Sequence, residues 1–199
     1  YINLLEESCN NNSVEIIKST EVKKILTQDN SVTGVQLNNG EIFESTCVIS
    51  NTDPKTTYLN LLGAEILDTD FIRRTKNFRN KGNVAKLELV FENDININGV
   101  DNNMYGKFIY APNIKYIEHA FNANKYNKYS ENPCLEFYVN KNILSANVYY
   151  VPHLTNSNHQ ENEIIKKCIS ILSKFIPDMK ISKEKLITPN VMEAKYNVA

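Results

Sequence analysis

The stretch Cys47–Gly63, CVISNTDPKTTYLNLLG, decides how the chain is read. A short apolar run, Cys47–Ile49, stops at Ser50-Asn51-Thr52-Asp53-Pro54, and helical spacing follows at once. This predicts a strand, a polar turn and a helix start. Asp53 suits an N-cap, Pro54 suits the first helical turn, and Leu59, Leu62 and Ile66 recur on one helical face. In α/β proteins a strand end opening onto a helix N-terminus is a common seat for ligands and phosphates. The residues before it, Glu21–Glu44, predict a β-meander feeding the strand. Those after it predict another kind of unit, so the stretch is a seam.

Working outward, Tyr1–Cys9 has the apolar spacing of a helix end, Asn10–Ser13 is a turn, and Val14–Ile17 predicts a strand. In Glu21–Thr27, Val22 and Ile25 are the candidates to face inward. Val32–Leu37 is a strand interrupted by Gly34. Asn38-Asn39-Gly40 marks a hairpin, because Asn and Gly tolerate the positive φ of a tight turn. Downstream, Lys55–Leu62 and Asp70–Phe78 have helical patterns, with Asp68 and Asp70 as helix-start residues. Ala85, Leu87, Leu89 and Phe91 alternate with Lys86 and Glu88, the signature of a half-buried antiparallel strand. Lys107–Tyr110 is a short strand. Asn113 starts a helix with Ile114, Ile117, Ala120 and Phe121 on one face. Leu135–Val139 and Ala146–Val151 alternate as strands. Asn158–Ile176 is the clearest helix, with Ile165, Ile169, Leu172 and Ile176 expected against the sheet and Pro177 ending it. Leu186–Thr188 is a short strand, and Pro189–Tyr196 a final helical turn or two. The fold class is therefore α+β, mixed strands and helices.

The chain has 199 residues, 42% apolar and 23% charged, with a formal net charge of −1. That is a globular composition, without the basic surplus that favours nucleic acid or an anionic membrane. No apolar run reaches the length of a membrane span, and no signal peptide is visible. Cys9, Cys47, Cys134 and Cys168 are scattered with no C-x-x-C pair, which points to a reducing, cytoplasmic setting. The chain begins with Tyr1 rather than Met, as expected of a piece of something longer.

Chemistry-bearing residues are few. His119 lies beside Ala120 and Phe121 and fits a packing or surface role. His153 and His159 flank a polar loop and are expected in solvent. No H-x-x-x-H or E-x-x-H metal spacing occurs, and there is no G-x-S-x-G elbow or nucleophile–base pair. No metal site and no catalytic residue can be named. Lys86 either faces a cleft or sits on a solvated outer face. Tyr105, Tyr110, Tyr116, Tyr126, Tyr129, Tyr138, Tyr149 and Tyr150 either line an apolar cavity or pack an ordinary sheet, which uses Tyr heavily.

The order of segments resembles one family. VKKILTQDNSVTGVQLNNGEIFESTCVISNTDPKTTYLNLLG is similar to the middle of phytoene-desaturase-like FAD-dependent oxidoreductases, in the amine-oxidase and glutathione-reductase-type flavoprotein group. KNFRNKGNVAKLELVF, then IYAPNIKYIEHAFNANKYNKYSENPCLEF, then ITPNVMEAKYNV resemble that family's later motifs in the correct order. The family's G-x-G-x-x-G, which cradles the FAD pyrophosphate, is absent. Asn127 stands where the family often has Gly, and the segment 140–147 is short. The resemblance implies the central portion of such an enzyme. Residues 1–53 would be part of the FAD-binding domain, 54–188 the substrate domain, and 189–199 the return to the FAD-binding domain. It places Val22 on the strand that contacts the adenosine part of FAD, and Ser50 and Asn51 at the strand end facing the cofactor. Plain turn chemistry explains Ser50 and Asn51 equally well. The parent enzyme would pass a hydride between flavin and a long apolar, carotenoid- or lipid-like substrate. It would touch membranes peripherally and need the N- and C-terminal parts missing here. The chain alone is not expected to bind FAD tightly. The competing reading is a non-catalytic module that binds an apolar ligand or a protein through the Tyr-rich sheet.

Overall fold

The computed structural model describes residues 2–79, 81–101, 106–153 and 158–196, excluding the side chains of residues 158 and 159. Tyr105 and the His159 side chain lie outside that description. The fold is α+β, with an antiparallel three-stranded sheet and an antiparallel five-stranded sheet. The chain divides into two compact units, Tyr1–Arg79 and Asn80–Ala199.

In the first unit, helix α1 (Ile2–Asn11) precedes a meander of β1 (Val22–Gln28), β2 (Ser31–Leu37) and β3 (Ile42–Glu44). Asp29 and Asn30 both adopt positive φ, 49° and 60°, and close the β1–β2 hairpin in two residues. This is the backbone twist that matches paired strands. Gly40, at φ 91°, closes the next turn, donating its N–H to Leu37 O at 3.0 Å. Ile25 and Leu37 are buried and Val22 is half-buried.

Two expected strands do not form. Val14–Ile17 is irregular, with Val14, Ile16 and Ile17 all exposed. Cys47–Ile49 is also irregular, and Ile49 is 92% exposed. An apolar run becomes a strand only where a neighbouring strand takes up its backbone donors and acceptors. Neither segment has such a neighbour among the described residues. The Ser45 hydroxyl instead engages both the N–H and the carbonyl of Cys47, at 3.2 and 2.8 Å.

The helix start after the seam is as the sequence predicts. Asp53 Oδ1 accepts from the N–H groups of Lys55 and Thr56 at 2.9 and 3.1 Å. Its winding differs: Thr56–Leu61 is π-helical, Gly63 stops it at φ 89°, and Ala64–Ile66 is a 3-10 turn. Leu59, Leu62 and Ile66 therefore share no continuous face, and Ile66 is exposed. Helix α2 (Thr69–Asn77) follows, with Asp68 Oδ1 capping the N–H groups of Asp70 and Phe71.

In the second unit the strands are β4 (Val84–Phe91), β5 (Phe108–Tyr110), β6 (Cys134–Asn140), β7 (Ile143–Tyr149) and β8 (Ile181–Ile187), in the order β5-β6-β7-β4-β8. β4 is an inner strand, paired on both sides, and alternates as predicted: Ala85, Leu87, Leu89 and Phe91 are buried. They join Leu135, Phe137, Leu144, Ala146 and Val148 from the same sheet face, and Ile164, Ile165, Cys168 and Leu172 from α4 (Asn158–Leu172). Past α4 a turn carries Ile176 into the same core, and Ile169 packs against it half-buried. β8 is longer than Leu186–Thr188, because four exposed charged or polar residues, Ser182–Lys185, run along the sheet edge. Helix α5 (Pro189–Tyr196) closes the described chain.

Helix α3 (Ile114–Lys125) begins at Asn113, whose side chain accepts from the Tyr116 N–H at 2.9 Å. Its inward face is not the expected one. Ala120 is buried and Tyr116 half-buried, but Ile114, Ile117 and Phe121 are exposed. The Tyr116 hydroxyl donates to Pro133 O at 3.1 Å, which fixes the helix by its aromatic face. No helix among the described residues is long and apolar enough to cross a membrane.

Candidate functional site

Ser50, at the seam, belongs to a hydroxyl cluster: its Oγ lies 3.1 Å from Thr52 Oγ1 and 2.9 Å from Thr57 Oγ1, and the two threonines are 2.8 Å apart. Asn51 is exposed beside it. The side-chain hydrogen bonds of Thr56 and the local backbone N–H groups hold the Asp53 carboxyl below the usual carboxylate range. The first helical N–H groups are thus already satisfied by an anion of the chain itself. Val22 pairs with Leu37 through the β1–β2 ladder. A dinucleotide pyrophosphate needs free N–H donors at a Gly-rich turn. Neither the Asp53-capped turn nor the sequence around it provides one, so the pyrophosphate cradle is not built by Val22, Ser50 and Asn51.

A second constellation lies on the open face of the five-stranded sheet. Antiparallel register sets Ile109, Glu136, Asn147, Lys86 and Ile187 in one row across β5, β6, β7, β4 and β8. Directly opposed residues project to the same face. The next row carries Tyr138, Ser145, Glu88 and Lys185. Glu136 is the hub. Its Oε2 accepts from the Tyr149 hydroxyl at 2.9 Å and pairs with Lys107 Nζ at 3.3 Å; its Oε1 accepts from Asn147 Nδ2 at 3.2 Å. With its amide nitrogen on the carboxylate, Asn147 turns its oxygen toward Lys86, whose Nζ lies 3.5 Å away. Glu88 accepts from Ser145 Oγ at 2.9 Å.

The Tyr149 hydrogen bond, joined by Lys107, holds the Glu136 carboxyl below its ordinary value, and the same bond pushes the Tyr149 phenol up. A carboxylate favoured in the folded state stabilises the fold above its unfolded value of about 4.3. That contribution is lost as pH falls through the lower folded value. Glu136→Gln is therefore expected to flatten the acid limb of thermal midpoint against pH, measured from roughly pH 6 to pH 3. Parallel wild-type and variant curves would show that the carboxylate gains nothing from its partners.

The remaining candidates disperse. His119 is exposed; His153 is packed rather than solvated, 18% exposed with Nδ1 3.5 Å from Glu193. Burial pushes the Cys168 thiol up to about 12 and raises Cys134, so neither is poised as a nucleophile. All four cysteines are free. Among the described residues no group of His, Cys, Asp and Glu could hold a metal ion. The tyrosines do not converge: Tyr126 and Tyr138 are exposed, Tyr149 serves Glu136, and Tyr110 packs edge-on against Tyr116 and Phe175. A cavity of about 260 Å³ between the 94–101 loop and β5–β6, lined by Ile97, Phe108 and Val139, is smaller than a usual ligand site. The sequence singled out Lys86 and set Tyr149 among the tyrosines, but Glu136, Asn147 and Lys107 were missed. The available signal was polar residues at alternate positions of β6 and β7.

No protein-family model matches the chain, and no curated protein sequence matches it. Solved structures do match. An oxidoreductase from Methanosarcina mazei is 15% identical at TM-score 0.52, over 94% of this chain and 41% of that one. A protein from Pyrococcus furiosus is 17% identical at TM-score 0.56, over 93% of this chain and 41% of that one. These likenesses are of fold, which the chain shares with an oxidoreductase. It spans about two fifths of the length of either structure.

Proposed function

We propose that the chain is the central part of an FAD-dependent oxidoreductase. The observation that carries this reading is a fold shared with the Methanosarcina oxidoreductase over 94% of the chain, in a sequence whose motifs follow the order of a flavoprotein family. A bound flavin would supply the hydride chemistry. The residues that hold it would come from chain outside these 199, since Val22, Ser50 and Asn51 make no pyrophosphate cradle. The long polyene substrate implied by the family resemblance fits less well. The open sheet face presents Lys86, Glu88, Glu136 and Asn147, where a polyene needs an apolar wall. The non-catalytic alternative has no specific observation in its favour: the described tyrosines fall into separate contacts, Tyr110 with Tyr116 and Phe175, and Tyr149 with Tyr150 and Glu136.

Capture of the native polypeptide from its source, with an antibody raised against this chain, tests the reading. The captured protein is expected to be yellow and to release FAD on heating. The purified 199-residue chain is expected to be colourless, with a thermal midpoint unmoved by added FAD. Native protein captured in quantity without flavin would refute the proposal. A yellow 199-residue chain would refute the assignment of the cradle to other residues.

A further inference from the structure

Among the described residues of the open sheet face, Lys86 is the half-buried lysine without an ion pair, while Lys183 and Lys185 stand exposed on the β8 edge. Lys107 is neutralised by Glu136, and Glu88 is engaged by Ser145. Lys86 stands on the inner strand β4, half-buried, with the Asn147 amide oxygen at 3.5 Å and no carboxylate within ion-pair distance among the described residues. A contact of that length is a weak hydrogen bond, so the ammonium keeps donor capacity. Its surroundings are ordered rather than loose. Glu136 fixes Asn147, which turns its amide oxygen toward the near side of Lys86. On the far side, the opposed residue is Ile187, and Val84 precedes Lys86 on the same face of β4. A positioned cation beside two aliphatic side chains matches an anionic group on an apolar body.

We infer that the open face of the five-stranded sheet binds a carboxylate-bearing small molecule, with its carboxylate on Lys86 Nζ and its apolar part over Val84 and Ile187. Lys86, Lys107, Lys183 and Lys185 outnumber Glu88 and Glu136 on this face, so charge complementarity selects an anion. A neutral polar ligand would leave the ammonium unmatched, and a cation would meet it directly. Lys86 accepts no proton and transfers none in this role; it is a binding residue. As a statement about the substrate of the proposed oxidoreductase, the inference rests on that reading. As a statement about binding, it stands on the sheet alone.

The test uses benzoate as probe and benzamide as its neutral isostere, followed by amide chemical shifts of the 199-residue chain without flavin. Benzoate is expected to move the amides of residues 84–88 and 145–149, with benzamide at least about tenfold weaker. Lys86→Gln should abolish the response and Lys86→Arg should keep it, while Lys183→Gln, at the far end of the same face, should leave it unchanged. The undisturbed remainder of each spectrum checks that the variant is folded. Equal responses to benzoate and benzamide, shifts confined to other residues, or unaltered binding in Lys86→Gln would each overturn the site. Because no step involves flavin, failure here leaves the oxidoreductase reading intact, and a flavin-free native protein would leave the carboxylate site intact.

Discussion

Gly34→Ala is expected to melt the three-stranded meander. Gly34 lies buried in the middle strand, at φ +151°, paired with Leu26 on one side and Glu44 on the other. A Cβ there would stand 2.1 Å from the Phe43 carbonyl oxygen and 3.0 Å from Glu44 Cα. Both obstacles are backbone, so no side-chain rotation relieves them. The strained backbone alone costs about 1–3 kcal/mol. Relief of the clash requires β3 to move away, which breaks its ladder with β2. The first unit has little to set against this: Ile25 and Leu37 are its buried apolar side chains among the described residues. Hydrogen exchange should show amides of β1–β3 losing protection while those of β4–β8 keep theirs. Native-like protection throughout the meander would mean that β2 and β3 are not packed this closely.

In the second unit, Leu172→Ala is expected to cost about 2–5 kcal/mol. Leu172 has no exposed surface, and it sits on α4 between Cys168 and Ile176, facing the buried side of the sheet. Truncation leaves a cavity that neighbours on a regular sheet and helix cannot close. Chemical denaturation should give a lower midpoint with an unchanged slope. A midpoint shift near zero would show that the α4 stripe faces something other than this core.

Alternation made β4 legible because one face of the strand is buried and the other is not. Asp68 and Asn113 were legible as helix starts because capping is a local act of one side chain on the next few N–H groups. Cys47–Ile49 misled for the opposite reason. Its composition is that of a strand, but a strand is completed by a partner elsewhere in the chain. The sequence put Ile114, Ile117, Ala120 and Phe121 on one inward face of α3; with the Tyr116 hydroxyl docked on Pro133, Ala120 is buried and the other three are exposed. β8 was hidden by its charged middle, which an edge strand tolerates and a central one does not. The Glu136–Asn147–Lys86 row joins residues 11 and 61 apart in sequence. No local pattern could align them; only the registers of β6 with β7 and of β7 with β4 do so.

The place of β4 between β7 and β8 also sets a timetable for synthesis. Both of its neighbours are encoded later: β7 begins about 50 residues after β4 ends, and β8 later still. At about 5–20 residues per second, a ribosome needs roughly 3–10 seconds to reach β7 after completing β4. During that interval Leu87, Leu89 and Phe91 have no sheet to enter, and the backbone of β4 has no ladder. The nascent chain therefore carries a strand with six apolar residues in eight unpaired for seconds. Chaperone occupancy during translation should concentrate on that window and end once Ile143–Tyr149 has left the exit tunnel.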